Sequence, residues 1–205
     1  MANIIKGNDD IATTYILKRF DHAVIIDPGG NYEQISELIE GFKIDYILLT
    51  HAHADHLALI GLFNCPVYLH KDDYYLLTDD INNGFKDIKM KRQYDINKIY
   101  FKDLKDLEAI DFVDQKIEII HTPGHTKGSV CFLYNHELFT GDTLFKEGVG
   151  RTDLYGGSNT SLTKSIKRLF ISMKDNIKIL PGHDDLSTIK YEKQHNKYVI
   201  QTLKK

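Results

Sequence analysis

Short apolar runs recur along the chain, and most of them end in a loop that is rich in polar residues. Runs of this length, bounded by glycine, proline and aspartate, predict β-strands. The predicted strands are residues 15–17, 23–26, 44–49, 67–69, 117–120, 130–134, 137–142 and 177–180. The pair Asn135 and His136 separates two of these runs, which predicts a β-hairpin.

Helical periodicity lies between the predicted strands. Helices are predicted at residues 32–39, 56–63 and 72–77, over an amphipathic segment that ends near residue 173, and from about residue 187 onward. In the amphipathic segment Leu162, Ile166 and Leu169 mark one face, and Ser161 or Thr160 is the predicted N-cap. Between residues 82 and 106 the pattern weakens and lysines accumulate. This stretch predicts exposed, partly irregular structure that covers a sheet edge or the mouth of a site.

Alternating strands and helices indicate a layered α/β protein. No low-complexity segment, long linker or repeat divides the chain, so we expect one domain over residues 1–205. A sheet built from both halves and covered by helices would bring the polar loops to one edge. Function in layered α/β proteins usually lies at such an edge.

Composition narrows the class of protein. The formal charge is -3 and the pI about 6.4, so the net charge does not favour binding to nucleic acid or anionic lipid. A small-molecule substrate is therefore expected. No apolar run is long enough to span a membrane. Cys65 and Cys131 form no CxxC pair and lie in or beside apolar segments, as expected of structural thiols in a reducing compartment. A soluble, cytoplasmic protein is therefore expected.

The most unusual residues are in THAHADHL, residues 50–57, which follow the predicted strand at 44–49. If residues 51 to 53 are extended, His51 and His53 point the same way and can share one cation. Asp55 and His56, at the start of the next helix, point elsewhere and could bind a second cation. Burying so many titratable groups side by side would be costly without a metal ion.

Three further candidates stand singly at strand ends. They are His125 in HTPGHTKGS, Asp142 in TGDTLF and His183 in LPGHDD. With the first cluster they make five imidazoles and two carboxylates, the inventory of two borderline-hard metal ions bridged by one carboxylate. A reasonable division places His51, His53 and His125 on one ion, and Asp55, His56 and His183 on the other, with Asp142 between them. Structural metal sites are usually closed, whereas catalytic sites keep an open coordination position. An open site for two metal ions therefore disfavours a non-catalytic metal-binding module.

The histidines outside these motifs are expected to have structural or supporting roles. We interpret His22, His70, His136 and His195 as structural residues, because a lone histidine at a strand end is more often a hydrogen-bonded structural residue than a ligand. His121 is either a strand residue or a support for a metal ligand.

The ordered set THAHADH, TPGHTKGS, TGDTLF and PGH resembles the metallo-β-lactamase superfamily. Within it, the set is most similar to the glyoxalase II (hydroxyacylglutathione hydrolase) group, in a short bacterial branch without the C-terminal helical domain. The resemblance implies an αββα sandwich, two mixed β-sheets flanked by helices, and the same seven metal ligands. Aspartate at position 142, where many β-lactamases of this fold have cysteine, weakens an antibiotic-hydrolysing function. The short stretch between Asp142 and His183 leaves no room for the extra domain of nuclease relatives.

The resemblance and the ligand set predict a hydrolase. Two bound divalent ions can hold a bridging hydroxide at neutral pH, which would attack an acyl carbonyl while Asp55 orients it and accepts its proton. A thiolate can leave without a general acid, because the pKa of its conjugate thiol is about 8.5. This favours a thioester substrate such as S-D-lactoylglutathione. Arg151, in GRTD, falls at the family's carboxylate-binding position, although a simple pair with Asp153 is an equal alternative.

Alternatives remain open at this point. A persulfide dioxygenase would use one Fe(II) on His51, His125 and Asp142. A lactonase of the same fold is a further hydrolytic alternative. Zinc is the expected metal, and iron or manganese also suits a histidine-rich, thiolate-free ligand set. The oligomeric state is open.

Overall fold

Two six-stranded β-sheets pack face to face at the centre of the molecule. The computed structural model describes residues 1–8, 10–88 and 92–204. The first sheet has the order β1-β2-β3-β4-β5-β6. Its strands are Asn3–Ile5, Thr14–Arg19, His22–Ile26, Lys43–Leu48, Val67–Leu69 and Phe101–Asp103. The first three are antiparallel, and β3 to β6 are parallel.

The second sheet is also mixed. Its order is β14-β13-β10-β9-β8-β7, and only the β10–β13 pair is parallel. In chain order the strands are β7 (Ala109–Phe112), β8 (Gln115–His121), β9 (Val130–Tyr134), β10 (Glu137–Gly141), β13 (Lys178–Pro181) and β14 (Ser187–Thr188). The short strands β11 (Leu144–Phe145) and β12 (Gly148–Val149) pair separately.

Within the described residues, five α-helices and three 3₁₀ helices lie between or after the strands. The α-helices are α1 (Tyr32–Ile39), α2 (Ala54–Leu57), α3 (Asn159–Ser172), α4 (Ile189–His195) and α5 (Lys197–Leu203). The 3₁₀ helices are Ile60–Leu62, Lys71–Thr78 and Ile96–Lys98. In the part of the chain that the structure describes, no helix has the length and apolar character needed to cross a bilayer.

The period-two pattern of the strands creates three apolar layers. Tyr15 of β2 packs between the sheets, where its ring lies 5.1 Å from that of Phe139 in β10. Its neighbour Ile16 points to the opposite face and packs with Ile35 of α1. On the second sheet, Cys131 of β9 faces the helical layer of α3 and α5. Because successive side chains of a strand point to opposite faces, each sheet is covered on both sides. The predicted αββα sandwich is confirmed.

The amphipathic helix α3 begins earlier than predicted. Ser158 is the N-cap, and its Oγ accepts a hydrogen bond from the Ser161 backbone N at 3.2 Å. The predicted caps, Ser161 and Thr160, are wrong because both already lie in the first turn. The segment contains several hydroxyl side chains, each of which could cap a helix.

The terminal segment is two helices rather than one. α4 ends at His195. The side chain of the next residue, Asn196, accepts hydrogen bonds from the backbone N atoms of Tyr198 and Val199 and so caps the start of α5. An asparagine that caps the following helix interrupts an otherwise continuous helical pattern.

Two other segments differ in detail from the prediction. Within residues 56–63 only the end of α2 and a 3₁₀ turn are helical, and residues 72–77 lie in a 3₁₀ helix. Outside residues 89–91, the stretch 82–106 is mostly exposed or half-buried and partly irregular, as predicted, but Phe85 and Tyr94 are buried in the core beneath the first sheet. The same stretch supplies the edge strand β6. Residues 89–91 lie outside the described residues.

Candidate metal centre

All seven candidate ligands lie where strands end at one edge of the two sheets. β4 is followed by His51 and His53, and the short helix α2 supplies Asp55 and His56. The others follow strands of the second sheet: His125 after β8, Asp142 after β10 and His183 after β13. The topology therefore brings together residues that are far apart in the sequence.

The first group joins His51, His53 and His125. Nδ1 of His53 lies 3.0 Å from Nε2 of His51 and 2.9 Å from Nε2 of His125. The rings meet edge to face, with interplanar angles of 82° to 89°. Three ring nitrogens thus converge on one point.

Hydrogen bonds behind two of these rings determine which nitrogen carries the proton. Nδ1 of His125 donates to the backbone O of Arg151 at 2.8 Å, because a carbonyl can only accept. Nδ1 of His51 lies 3.1 Å from Oγ1 of Thr50, which itself donates to Asp27. In the neutral rings Nε2 therefore carries a lone pair. Nδ1 of His53 faces both lone pairs and carries at most one proton, so it cannot donate to both, whereas a metal ion shared by the three nitrogens would satisfy all of them.

The second group joins Asp55, His56 and His183. Nε2 of His183 lies 3.0 Å from Oδ2 of Asp55, and Nε2 of His56 lies 3.5 Å from the same oxygen. His56 is fully buried, whereas the side chains of Asp55 and His183 are 20% and 24% exposed. The centre therefore opens toward solvent on the His183 side.

Asp142 stands between the two groups. Its Oδ1 lies 3.1 Å from Nε2 of His56 and 3.9 Å from Nε2 of His183. Its Oδ2 lies 3.5 Å from Nε2 of His125. One carboxylate oxygen thus faces each group. Among the described residues, neither Oδ1 of Asp142 nor Nε2 of His56 has a hydrogen-bond partner, and both are buried. A cation between them would satisfy both atoms.

Asp27 orients the buried end of the centre. Its Oδ2 accepts from Nδ1 of His56 at 2.8 Å and from Oγ1 of Thr50 at 2.6 Å, and its Oδ1 accepts from the Thr50 backbone N at 2.8 Å. The carboxylate thereby directs Nε2 of His56 toward Asp142 and supports His51 through Thr50. Such carboxylate–histidine pairs fix the tautomer and the ring orientation of metal ligands.

Asp73 joins the two ligand-bearing loops. Its carboxylate accepts from the backbone N of Ala52 at 3.2 Å, from Oγ1 of Thr126 at 2.7 Å and from the backbone N of Gly128 at 2.6 Å. Asp73 comes from the 3₁₀ helix Lys71–Thr78. It therefore holds the loop after β4 against the loop that carries His125.

The glycine of the PGH motif is required by packing. A Cβ at Gly182 would lie 2.4 Å from Oδ1 of Asp142 and 2.6 Å from Cε1 of His56. The backbone before His183 thus passes directly against two candidate ligands, and no side chain fits there.

Burial and charge set the protonation states in the centre. Burial lowers the pKa of His53 to about 3 and that of His51 well below its ordinary value, with neighbouring imidazoles adding to the effect. Neutral imidazole is the form that binds metal ions. Burial would raise the pKa of Asp142, but the charge of His56 outweighs it and holds that pKa well below the usual range. The neutral rings of His51 and His53 beside the ionised carboxylate of Asp142 form a donor set for a cation.

Two supporting residues escaped the sequence analysis. In the sequence, Asp27 begins the turn-like stretch DPGG after a predicted strand, and Asp73 lies in the helix predicted at residues 72–77. A signal for Asp27 exists, since it directly follows a buried strand as the ligands do. No comparable signal marks Asp73, whose partners lie far along the chain.

The predicted substrate residue Arg151 lies at the surface. Its Nε and Nη2 donate to Asp153 at 2.7 and 2.8 Å, which matches the alternative of a local pair. The backbone of Arg151 has a separate function, because its O accepts from His125. Two histidines outside the centre make different hydrogen bonds. The His22 ring pairs with the Asp45 carboxylate at 2.8 Å, and the His121 ring donates to the backbone O of Lys127.

Comparison with known proteins agrees with this geometry. The family model of the metallo-beta-lactamase superfamily matches residues 7–183. The chain is 31% identical over 197 residues to the probable metallo-hydrolase YqgX of Bacillus subtilis (strain 168), with 92% of each chain covered. The chain belongs to the metallo-β-lactamase superfamily.

Two solved structures are similar over nearly the whole chain. The BLEG-1 B3 metallo-beta-lactamase has a TM-score of 0.85 and 32% identity, covering 97% of this chain and 99% of that one. The di-iron-bound form of TTHA1623 has a TM-score of 0.81 and 27% identity, covering 96% and 99%. These relatives support a metallo-hydrolase that uses divalent metal ions, without determining which metal.

We predict that Asp27→Asn weakens metal retention by about 10- to 100-fold, because His56 loses its charged partner. Asparagine suits this position sterically, since the φ of Asp27 is 51° and asparagine tolerates that region. Metal content per chain after dialysis against a chelator measures the effect. Asp45→Asn is the matched control, because Asp45 accepts from His22 outside the centre. Equal retention by both variants would contradict the orienting role of Asp27.

Proposed function

We propose that this protein is a binuclear metal-dependent hydrolase that cleaves the acyl thioester of a small thiol, such as S-D-lactoylglutathione. The observation that supports it most is the position of Asp142, whose two oxygens face the two ligand groups. A carboxylate between two three-ligand groups suits a pair of ions rather than one.

The proposed ligands divide as the geometry groups them. His51, His53 and His125 would hold one ion, Asp55, His56 and His183 the other, and Asp142 both. A bound pair of divalent ions would lower the pKa of a bound water toward about 7 and polarise an acyl carbonyl. We propose zinc, with iron or manganese as alternatives; TTHA1623, a structural relative, was solved in a di-iron-bound form.

Asp55 is proposed to act on the attacking water. Its carboxylate lies on the open side of the centre, partly exposed, and Oδ2 is 3.0 Å from Nε2 of His183. The charges of His56 and His183 hold the pKa of Asp55 below its ordinary value despite burial. An ionised carboxylate at this position can orient the attacking water and accept its proton.

A cavity beside His183 could admit the substrate. It encloses about 710 Å³ and is lined in part by Lys6, Lys146 and Asp185. This volume is within the range of small-molecule sites. Both lysines lie near Asp185, at 3.1 and 3.6 Å, so two cations share one carboxylate. Asp184 also lines the cavity, so two aspartates balance the two lysines, and a negative group of the substrate, such as a carboxylate of glutathione, would replace Asp185 as the partner of a lysine.

The leaving group distinguishes a thioester from an amide. A thiolate departs without a proton donor, because its conjugate pKa is about 8.5. An amide nitrogen needs one. For this reason the thioester is preferred over a β-lactam, although BLEG-1 is a β-lactamase by name. The free thiols of Cys65 and Cys131 suit a reducing compartment, and we propose a cytoplasmic location.

Turnover of S-D-lactoylglutathione by the metal-loaded protein tests the proposal. We expect thiol release at the same rate with and without oxygen, and two metal ions per chain. Oxygen uptake with glutathione persulfide by a protein that holds one iron would contradict it in favour of a dioxygenase. Turnover of a β-lactam or a lactone without turnover of the thioester would contradict the substrate class.

Asp142→Asn tests the bridging role. The amide lacks the negative charge and offers only one oxygen, so we expect metal content and thioesterase activity to fall together, activity by at least about 100-fold. The control is Asp175→Asn, which removes an exposed carboxylate paired with Lys193 at 2.6 Å. An active Asp142→Asn variant that retains two ions would contradict the assignment.

Arg151 is proposed to bind a substrate carboxylate in exchange for Asp153. Arg151→Gln should then raise KM by about 10-fold with little change in kcat, as expected for loss of a bidentate contact. Metal content should not change, because the backbone O that holds His125 remains. Arg19→Gln is the control, since Arg19 makes a similar exposed pair with Asp114. An unchanged KM would leave Arg151 only the pair with Asp153.

A further inference from the structure

A buried carboxylate outside the candidate metal centre bonds to three segments of the chain. Glu192 of α4 is fully buried, and a buried polar group is costly unless it is hydrogen-bonded. Its Oε2 accepts from the backbone N of Glu147 at 2.8 Å and from Nδ2 of Asn196 at 2.9 Å. Its Oε1 accepts from Oγ of Ser187. One side chain therefore connects the turn between β11 and β12, the start of β14 and the residue that follows α4.

The tip of the hairpin formed by β11 and β12 is held by three hydrogen bonds. Besides the bond from its backbone N to Glu192, Glu147 accepts from Oη of Tyr191 through its Oε1, at 2.5 Å. Nδ2 of Asn196 also donates to the backbone O of Gly148 at 3.0 Å. The φ of Glu147 is 59°, in the left-handed region, where a non-glycine residue persists only when its surroundings fix it. The position of this tip thus depends on α4 and on Asn196.

The loop between β13 and β14 is held at its end by the same carboxylate. It contains His183, and it ends at Ser187, whose hydroxyl donates to Glu192. Within it, Asp184 has a φ of 68°, again in the left-handed region. Two segments with strained backbone therefore share one buried acceptor.

Both segments form walls of the cavity beside His183. Lys146 of the hairpin tip and Asp185 of the loop line it, and the lysine Nζ lies 3.6 Å from Oδ2 of the aspartate. The hairpin also reaches the candidate centre, because the ring of Phe145 lies 6.2 Å from that of His183, at an interplanar angle of 72°. A shift of the hairpin tip relative to the loop would change the shape and the charge pattern of the cavity.

We propose that Glu192 is a positioning residue that holds these two walls in place for the substrate. The inference rests on the proposed hydrolysis, in which this cavity admits the substrate. Glu192 acts through Lys146 and Asp185, and it makes no hydrogen bond to any of the seven candidate metal ligands. Loss of its hydrogen bonds should therefore weaken substrate binding more than it slows the chemical step.

Steady-state kinetics of the metal-loaded protein with S-D-lactoylglutathione test the proposal. Glu192→Ala should raise KM by about tenfold, with kcat and metal content little changed, as expected when ground-state and transition-state binding are lost equally. Glu192→Gln should stay close to wild type, because its amide oxygen can accept from Glu147 and Asn196 while its amide nitrogen donates to Ser187. Ser187→Ala removes only the bond to the loop and should raise KM less; it serves as the test variant if Glu192→Ala does not fold.

Glu137→Ala is the matched control. Glu137 is also a buried glutamate whose Oε2 accepts from a backbone N, that of Ala2 at 3.0 Å. It begins β10, whereas the candidate ligand Asp142 follows the other end of that strand. We expect this variant to keep the KM and the kcat of the wild type.

Amide hydrogen exchange, followed by NMR, needs no substrate and so separates this proposal from the proposed function. The N–H of Glu147 should exchange at least about tenfold faster in Glu192→Ala than in wild type, and at the wild-type rate in Glu192→Gln and Glu137→Ala. Equal exchange in Glu192→Ala and wild type would overturn the proposal whatever the protein hydrolyses. Faster exchange with an unchanged KM, or a fall in kcat alone, would also overturn it. A wild type that does not cleave the thioester would contradict the proposed function instead, and KM is then compared with the substrate that it does cleave.

Discussion

The centre depends on a conflict between three buried ring nitrogens, since Nε2 of His51 and Nε2 of His125 both face Nδ1 of His53 and one proton there could satisfy only one of them. Bonds from the far side of the rings, to Thr50 and to the backbone of Arg151, direct the lone pairs of His51 and His125 toward His53. All three rings are at most 6% exposed, so water does not separate them. A divalent cation shared by the three nitrogens would satisfy all of them and compensate for the loss of hydration.

The two sheets supply the rigidity that this arrangement needs. An apolar layer between them, from Tyr15 to Phe139, fixes the relative positions of strand ends that come from both halves of the chain. Buried carboxylates then complete the alignment. Asp27 connects the end of β3 to His56, and Asp73 connects the loop after β4 to the loop of His125. The partly exposed candidate ligands Asp55 and His183 lie on the side of the centre that is open to solvent.

Local patterns predicted much of the fold and the candidate ligands. Strands with alternating or wholly apolar residues were located to within a few residues, and HAHADH marked the centre because so many titratable groups are rarely buried together. Features that depend on distant partners were not predictable. Asp73 contacts Thr126 and Gly128, and His70 contacts His121, only after the sheets have packed. The cap of α3 was ambiguous for a local reason, since several neighbouring hydroxyls could have served.

Anomalous X-ray diffraction from crystals of the metal-loaded protein tests the central claim most directly. The account predicts two peaks about 3.5 to 4 Å apart, one against His51, His53 and His125 and the other against Asp55, His56 and His183, with Asp142 between them. A single peak, or two peaks with His56 or His183 turned away from both, would contradict a paired-metal centre.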